Sequence, residues 1–480
     1  MNTEYEIVIG LEVHVQLNTT SKIFCADATS FGDLPNRHTS AISLAHPGTL
    51  PRVNTKAIQK GIQLALAIGS KINKENRFDR KHYFYPDSPK GYQITQDRLP
   101  ICVGGSLDLY EGDATRTIRF HHVHMEEDAG KSVHDIDPNN SLIDLNRAGT
   151  PLLEIVTEPD LRSAQEVFDF ISTLQHLVKY IGISEANMEE GHLRADVNVS
   201  VRKKGETILN NRCEVKNVNS KRFAKEAVIY EAKRQIALME NGESVKQQTL
   251  SFDPETGRTN PIRDKENAHD YRYFPDPDLP PVFITDTQIK EITDQLPVLP
   301  KEKRKEYAAK NINQEHINVI TQEREHVDYF DQLLNEKISA KAVANHFVNT
   351  VLPEVKENYQ DKLNQFPLNI SQQIEFLTLI EEDKIVRTTA VQQLFPALLK
   401  NPSKTPSALC EELNLFQSND GDIIDTVIQQ IINDNPDEVA KYKKGKKGLI
   451  GFFVGQAMKF TKGQSNPKVL QEKISKALEE

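Results

Sequence analysis

The stretch Ile7–Leu17, "IVIGLEVHVQL", decides how the first half of this chain folds. Its odd positions, Ile7, Ile9, Leu11, Val13, Val15 and Leu17, are all aliphatic, while Gly10, Glu12, His14 and Gln16 alternate with them. A period of two is that of a strand, with one set of side chains buried and the other on the opposite face. The second face shows a carboxylate beside an imidazole. On a half-solvated sheet such a pair is ordinary, and it becomes a site only where other ligands converge on it.

The same alternation returns in "HLRADVNVSVR". Leu193, Ala195, Val197, Val199 and Val201 face one way, and Arg194, Asp196, Asn198, Ser200 and Arg202 the other. "SLIDLNRAGTPLLEIVTEPD" reads as a strand, a Gly-Thr-Pro turn and a second strand stopped by Pro159. Helices punctuate these runs, one from Ser163 to Gly182 and one from Ser220 to Asn241-Gly242, each with a Ser start and a Gly stop. Adjacent strand–turn–strand units mixed with helices predict an α+β domain over residues 1–295, built on a largely antiparallel sheet. The Pro-dense strap "FPDPDLPPVFI" (Phe274–Ile284) closes it. After "LPVLPKEKRKEY" glycine is absent until Gly421, and patterns such as "INVITQEREHVDYFDQLLN" predict an all-helical domain over 296–405. The Ser/Thr-rich turn between Pro402 and Pro406 predicts a boundary, and a small helical tail domain over 406–480.

Bulk properties narrow the class. A chain of 480 residues is too long for one core, and 38% hydrophobic with 27% charged residues describes a globular protein. No run of eighteen apolar residues predicts a membrane span. The chain enters its first strand almost at once, with neither a signal peptide nor an Arg-rich presequence. Cys25, Cys102, Cys213 and Cys410 are scattered without C-x-x-C spacing, which points to a reducing compartment and predicts a cytoplasmic protein. The net charge of −10 speaks against indiscriminate coating of nucleic acid. Yet Lys441 to Lys476 holds ten lysines against one acid, Glu472. That run is either a solvated face or a patch that contacts phosphates.

No P-loop, Rossmann fingerprint or G-x-S-x-G elbow occurs. Acids gather instead at strand ends, Glu126, Glu127 and Asp128 in "HHVHMEEDAGK" and Glu154 and Glu158 in "TPLLEIVTEPD". With Glu12 and His14 they supply enough oxygen and imidazole ligands for a hard divalent cation such as Mg²⁺, unless each group is a separate solvated strand end. "DRKHYFYPDSPKGYQIT" and "DYRYFPDPDLPP" both combine basic residues, aromatics, Pro and Asp. Such a mixture stacks a base and holds phosphates, or packs Tyr and Phe under a Pro-rich loop.

Taken in order, "IGLEVHVQLNTTSKIFC", "FDRKHYFYPDSPKGYQIT", "HMEEDAGKS", "LIDLNRAGTPLLEIV", "DYRYFPDPDLPP" and "GFFVGQAMKFTKGQSNPK" resemble the B subunits of bacterial-type aspartyl/glutamyl-tRNA amidotransferases, over essentially the whole chain. The resemblance implies a catalytic cradle domain like that of glutamine synthetase, which takes ATP, Mg²⁺ and the aminoacyl end of tRNA, then a helical domain and a tail that grips tRNA. It implies phosphorylation of the side-chain carboxylate of Glu-tRNA(Gln) or Asp-tRNA(Asn) by ATP, followed by displacement of phosphate by ammonia. A partner amidase, the A subunit, releases that ammonia from glutamine, and a small C subunit completes the heterotrimer. No membrane is involved.

On this resemblance Glu12, His14, Glu127 and Glu154 are the expected Mg²⁺ ligands, with Glu126 and Asp196 as flanking groups or ligands of a second ion. Lys81, Lys90, Arg147 and Arg194 are the expected catalytic cations around the transferred phosphoryl group. His121, His122 and His124 are expected to pack or hydrogen-bond rather than ligate. Lys443, Lys444, Lys446, Lys447, Lys459 and Lys462 are expected to contact tRNA. Cys25 stands alone where some relatives carry paired cysteines and a zinc, and His38 and His46 do not complete a ligand set, so no zinc is expected. The alternative reading is a non-catalytic scaffold that presents charged tRNA, which does not hydrolyse ATP in response to it.

Overall fold

The computed structural model describes every residue except 1–3, 112–113, 135, 138, 265–269, 418–420, 462–464, 466 and 480. The chain forms two compact units, Met1–Glu302 and Lys303–Glu480. In the first, the alternating opening stretch is a strand over Tyr5–Gln16 whose Ile7, Ile9, Leu11, Val13 and Val15 are buried. It lies in the middle of a ten-stranded sheet. On one side come Pro151–Thr157 and then Ala114–Glu127, and on the other Leu193–Lys203 and then Cys213–Val218, each antiparallel to its neighbour. Cys213–Val218 then pairs in parallel with Gln248–Asp253. The unit is therefore α+β on a sheet that is antiparallel in the main.

Aliphatic alternation demands a cover, and helices supply it. Thr55–Ala67 approaches the sheet tightly at Gly61, where an added Cβ would stand 2.6 Å from Ile101 Cδ1 and 3.6 Å from Leu153 and Met125. Ala164–Tyr180 and Lys221–Glu240 start where serines are placed to cap them. Ser163 Oγ accepts from Glu166 N and Ser220 Oγ from Phe223 N, each at 3.1 Å. The loop that carries Cys25 is fixed by hydrogen bonds. Lys22 is fully buried, and its ammonium donates to the carbonyls of His38 (2.6 Å) and Leu145 (3.3 Å), while Asn36 donates to Ile143 O (2.9 Å).

The two stretches of matching composition meet. Phe274–Pro275 pairs with Asp79–His82, which pairs with Tyr92–Thr95. Arg80 lies 4.4 Å over the Tyr92 ring and bonds Asp276 (2.7 Å) and Asp278 (2.9 Å), and His82 stacks on Phe274. This small sheet abuts the end of Ala114–Glu127, where Gln96 Oε1 accepts from Met125 N at 3.0 Å.

The second unit is helical. Two of its helices widen into π turns, Phe347–Val351 and Ala390–Leu394, just before Pro353 and Pro396. Each proline lacks the N–H that the carbonyl four residues earlier accepts in an α-helix, and its ring crowds that carbonyl. Pro406–Glu412 packs on Ile370–Glu381 and Phe395–Lys400. A separate core gathers Ile424, Ile428, Ile431, Tyr442, Phe453, Leu470, Ile474 and Leu478. Among the described residues no helix is long and apolar enough to cross a membrane.

Candidate active site

Directly opposed residues of antiparallel strands put their side chains on the same face. Register therefore turns residues far apart in sequence into one row. His14 faces Glu154 on one neighbour and Arg194 on the other, and Glu154 faces His124. The row across four strands is Arg194, His14, Glu154, His124. The next row holds Asp196, Glu12, Val156 and His122.

Glu126, two residues beyond His124, closes the group. His14 Nε2 stands 3.2 Å from Glu154 Oε2 and 3.4 Å from Glu126 Oε1, and His124 Nε2 stands 3.2 Å from Glu154 Oε2 and 3.9 Å from Glu126 Oε2. One ligand atom each from His14, Glu126 and Glu154 falls within 4.8 Å of the others, a spacing that could hold a metal ion. Burial alone would lower both imidazoles, but the two carboxylates outweigh it and raise His14 to about 10 and His124 to about 9. Burial likewise opposes charge on the acids, yet the imidazoles hold Glu126 near about 2 and Glu154 well below the usual carboxylate range. The site balances two imidazoliums against two carboxylates, and a cation that takes His14 as a ligand must displace its proton.

The structure brings together some of the expected residues and separates others. His14 and Glu154 are in contact, and Glu126 joins them. Glu12 lies one step along the strand, about 7 Å away by strand geometry. It accepts from Asn198 Nδ2 at 3.0 Å, and burial followed by the charges of Glu154 and Glu214 pushes its carboxyl up. Asp196 is paired with Lys216 at 2.7 Å, which also reaches Glu214 at 3.0 Å. Glu127 lies apart from the group. Its carboxylate is paired with Lys90 and accepts from Ile94 N at 2.8 Å. Arg194 Nη2 bonds Asp128 Oδ2 at 2.9 Å, and Arg147 donates to Ala129 O (3.1 Å) and Gly130 O (2.8 Å) with Asp128 3.3 Å away. Lys81 sits 5.0 Å over the Tyr271 ring.

His124, expected to pack or hydrogen-bond rather than ligate, lies against both carboxylates. Its even spacing from Glu126 was the available signal, since the register is regular from His122 to Glu127; the bulge comes only beyond it, where Val156 pairs with His122 and Thr157 with Phe120, leaving His121 over. A cavity of about 320 Å³ adjoins Glu12 on this face, lined by Gly10, Val156, Asn198, Leu209, Asn211 and Arg212 among others. In the second unit Lys443, Lys444, Lys446, Lys447 and Lys459 are exposed, and Lys462 lies outside the described residues. Lys447 reaches Glu479 (3.5 Å) and the Tyr442 ring (4.3 Å).

Comparison with known proteins places the chain. Residues 7–290 match the model of the GatB/GatE catalytic domain and residues 328–478 that of the GatB domain. The B subunit of the aspartyl/glutamyl-tRNA(Asn/Gln) amidotransferase of Thermodesulfovibrio yellowstonii is 43% identical over 99% of this chain and 100% of its own length. The proteins of the same name from Geotalea daltonii (44%, 99% and 100%) and Neisseria meningitidis (42%, 99% and 99%) are similar to the same extent. The chain belongs to this family of amidotransferase B subunits, ligases that form a carbon–nitrogen bond to turn misacylated Glu-tRNA(Gln) and Asp-tRNA(Asn) into Gln-tRNA(Gln) and Asn-tRNA(Asn).

Proposed function

We propose that this chain carries out the ATP-dependent step of that conversion, phosphorylating the side-chain carboxylate of the misacylated amino acid in a glutamine-synthetase-like cradle over residues 1–295. A carboxylate is a poor acylating group because oxide cannot leave. A carboxylate oxygen attacks the γ-phosphorus of ATP, ADP departs, and the acyl phosphate offers phosphate as a leaving group. Ammonia from a partner amidase A subunit then attacks the acyl carbon, and phosphate leaves as the nitrogen loses a proton. A small C subunit completes the assembly, which we place in the cytoplasm.

The observation that carries this reading is the largely buried group His14, Glu126, Glu154 and His124, with Glu126 at its base, on the face of the sheet opposite the aliphatic core. Its donors, two carboxylates and an imidazole within 4.8 Å of one another, fit Mg²⁺, with His14, Glu126 and Glu154 as its ligands. Bound there, the ion neutralises phosphate charge during transfer. Glu12 and Asp196 extend the acidic face, while Glu127 holds Lys90 in place. The cavity beside Glu12 combines the apolar walls and amide rim that a nucleoside requires. Lys81 and Arg194 are the cations we assign to the developing charge. In the second unit we propose a helical domain to about residue 405 and a tail whose exposed lysines grip tRNA phosphates.

The test is ADP release by the assembled enzyme with Mg²⁺ and ATP, comparing uncharged tRNA(Gln), Glu-tRNA(Gln) and Asp-tRNA(Asn). Release that requires the charged tRNA supports carboxylate phosphorylation. Release indifferent to charging would leave the chain a tRNA-presenting scaffold.

A further inference from the structure

Asp128 belongs to none of the roles above, yet it is the junction of the site's two arginines. It ends the run Glu126-Glu127-Asp128, and its backbone is locked by Asp128 N to Thr150 O (2.8 Å) and Gly149 N to Asp128 O (2.8 Å). Oδ1 accepts from Ala129 N at 2.9 Å. Oδ2 takes Arg194 Nη2 at 2.9 Å and stands 3.3 Å from Arg147 Nε. Arg147 is itself held by the carbonyls of Ala129, through the same Nε, and of Gly130, through Nη2. The carboxylate thus meets three donors, on a backbone pinned at both its N–H and its carbonyl.

Exposure separates the partners. The Asp128 side chain is 4% exposed, whereas that of Arg194 is 33% exposed. Arg194 stands opposite His14 in the strand register, on the face that carries Glu154 and His124. One nitrogen of its planar fork, Nη2, is taken by Asp128, which restricts where the remaining N–H groups point.

We propose that Asp128 is a positioning residue which, braced by Arg147, fixes Arg194 so that its free N–H groups meet the negative charge of the acyl-phosphate-forming step. The proposal rests on the phosphorylation reading above. It gives Arg147 a bracing role and leaves Arg194 as the arginine that touches substrate.

The experiment uses the enzyme assembled with its partner subunits and reads kcat for ADP release driven by Glu-tRNA(Gln), KM for ATP, and the Kd of uncharged tRNA. Asp128→Asn and Arg194→Gln are each expected to lower kcat by about tenfold or more. KM for ATP and the tRNA Kd should stay within about twofold, and the double variant should be no slower than Arg194→Gln alone, because residues that act as one unit are not additive. Millimolar guanidinium should restore part of the activity of Arg194→Ala only while Asp128 is present. Losses that multiply in the double variant, or an Asp128→Asn enzyme with unchanged kcat, overturn the anchoring role. Arg194→Lys tests the aim even if Asp128→Asn does not fold. Lysine keeps the charge without the fork, so a fully active Arg194→Lys also overturns the proposal. Failure of the unmodified enzyme to couple ADP release to charged tRNA would overturn the phosphorylation reading and the anchor together, whereas the variant results overturn the anchor alone.

Discussion

Replacing Lys443, Lys444, Lys446 and Lys447 by glutamine tests whether the lysine run grips tRNA. All four are exposed, and among the described residues no acid is paired with Lys443, Lys444 or Lys446, so three ammonium groups are free to take phosphates. Lys447 is partly committed to Glu479 and the Tyr442 ring. Each phosphate neutralised contributes about 0.7 to 0.9 to the slope of log K against log salt, so losing these contacts should flatten the slope by about three units. Between 50 and 200 mM salt that is roughly a 60-fold loss of affinity in the unmodified protein that the variant no longer suffers. Glutamine keeps a long polar side chain and the helix propensity at Lys443, the last residue of Pro436–Lys443. The lost charge at that helix end costs about 0.3–1 kcal/mol, too little to unfold the core behind it. Fluorescence anisotropy of labelled tRNA over a salt series, with thermal melting as a control, measures both effects. A variant that binds more weakly at one salt concentration but keeps the original slope would refute the reasoning and return the run to a solvated face.

Three further outcomes follow from the structure. Glu154→Gln should lower charged-tRNA-dependent ADP release by about a hundredfold or more while leaving the tRNA Kd unchanged, since one neutral amide replaces the carboxylate that both imidazoles face; full activity would remove Glu154 from the site. His346 is buried between Phe376 and Phe395, and burial pushes its pKa down to about 4. The unfolded chain takes up that proton below about pH 6.5 and the folded one only near 4, so stability is lost as pH falls through this window, by about 1.4 kcal/mol per pH unit. His346→Phe should flatten that part of an acid-unfolding curve, and an unchanged curve would acquit the histidine. Phe453 is fully buried in the last core, and Phe453→Ala should cost about 3–5 kcal/mol in urea unfolding followed by circular dichroism, where a loss under about 1 kcal/mol would mean the site collapses around the gap.

Much of the frame was legible from local pattern. Alternation at Ile7–Leu17 and Leu193–Val201 defines two strands and their buried faces, and Ser163 and Ser220 mark helix starts, because each signal depends on residues within a few positions of one another. His14 and Glu154 were legible as ligand types on strand faces. What failed to show was long-range register. Nothing near Glu126 or Glu127 says which of them turns toward Glu154, since that is fixed by Leu152 pairing with Glu126 and by the small sheet that claims Glu127 through Lys90 and Ile94 N. The same holds for His124, whose place depends on its pairing with Glu154, and for Asp128, whose partners Arg147 and Arg194 lie 19 and 66 residues away.

The energetics of the first unit separate a structural ion cluster from a functional one. Glu231 is fully buried, but Arg234, Gln235 and Thr259 all donate to its oxygens, so the carboxylate is satisfied within the fold. Its removal would leave buried donors unpaired, which is role enough. The four groups around His14 differ. Each carboxylate meets imidazoles rather than a guanidinium, at distances from 3.2 to 3.9 Å, and the imidazoles' charges depend on protons that a bound cation would displace. Buried ion clusters of this kind are commonly no more stabilising than apolar residues of the same volume. Stability therefore gives little reason to place two acids and two histidines on one face of a central sheet, and binding gives a strong one. The two imidazoles supply the carboxylates' counter-charge within the fold, and a cation held by His14, Glu126 and Glu154, as proposed, would replace the proton on His14.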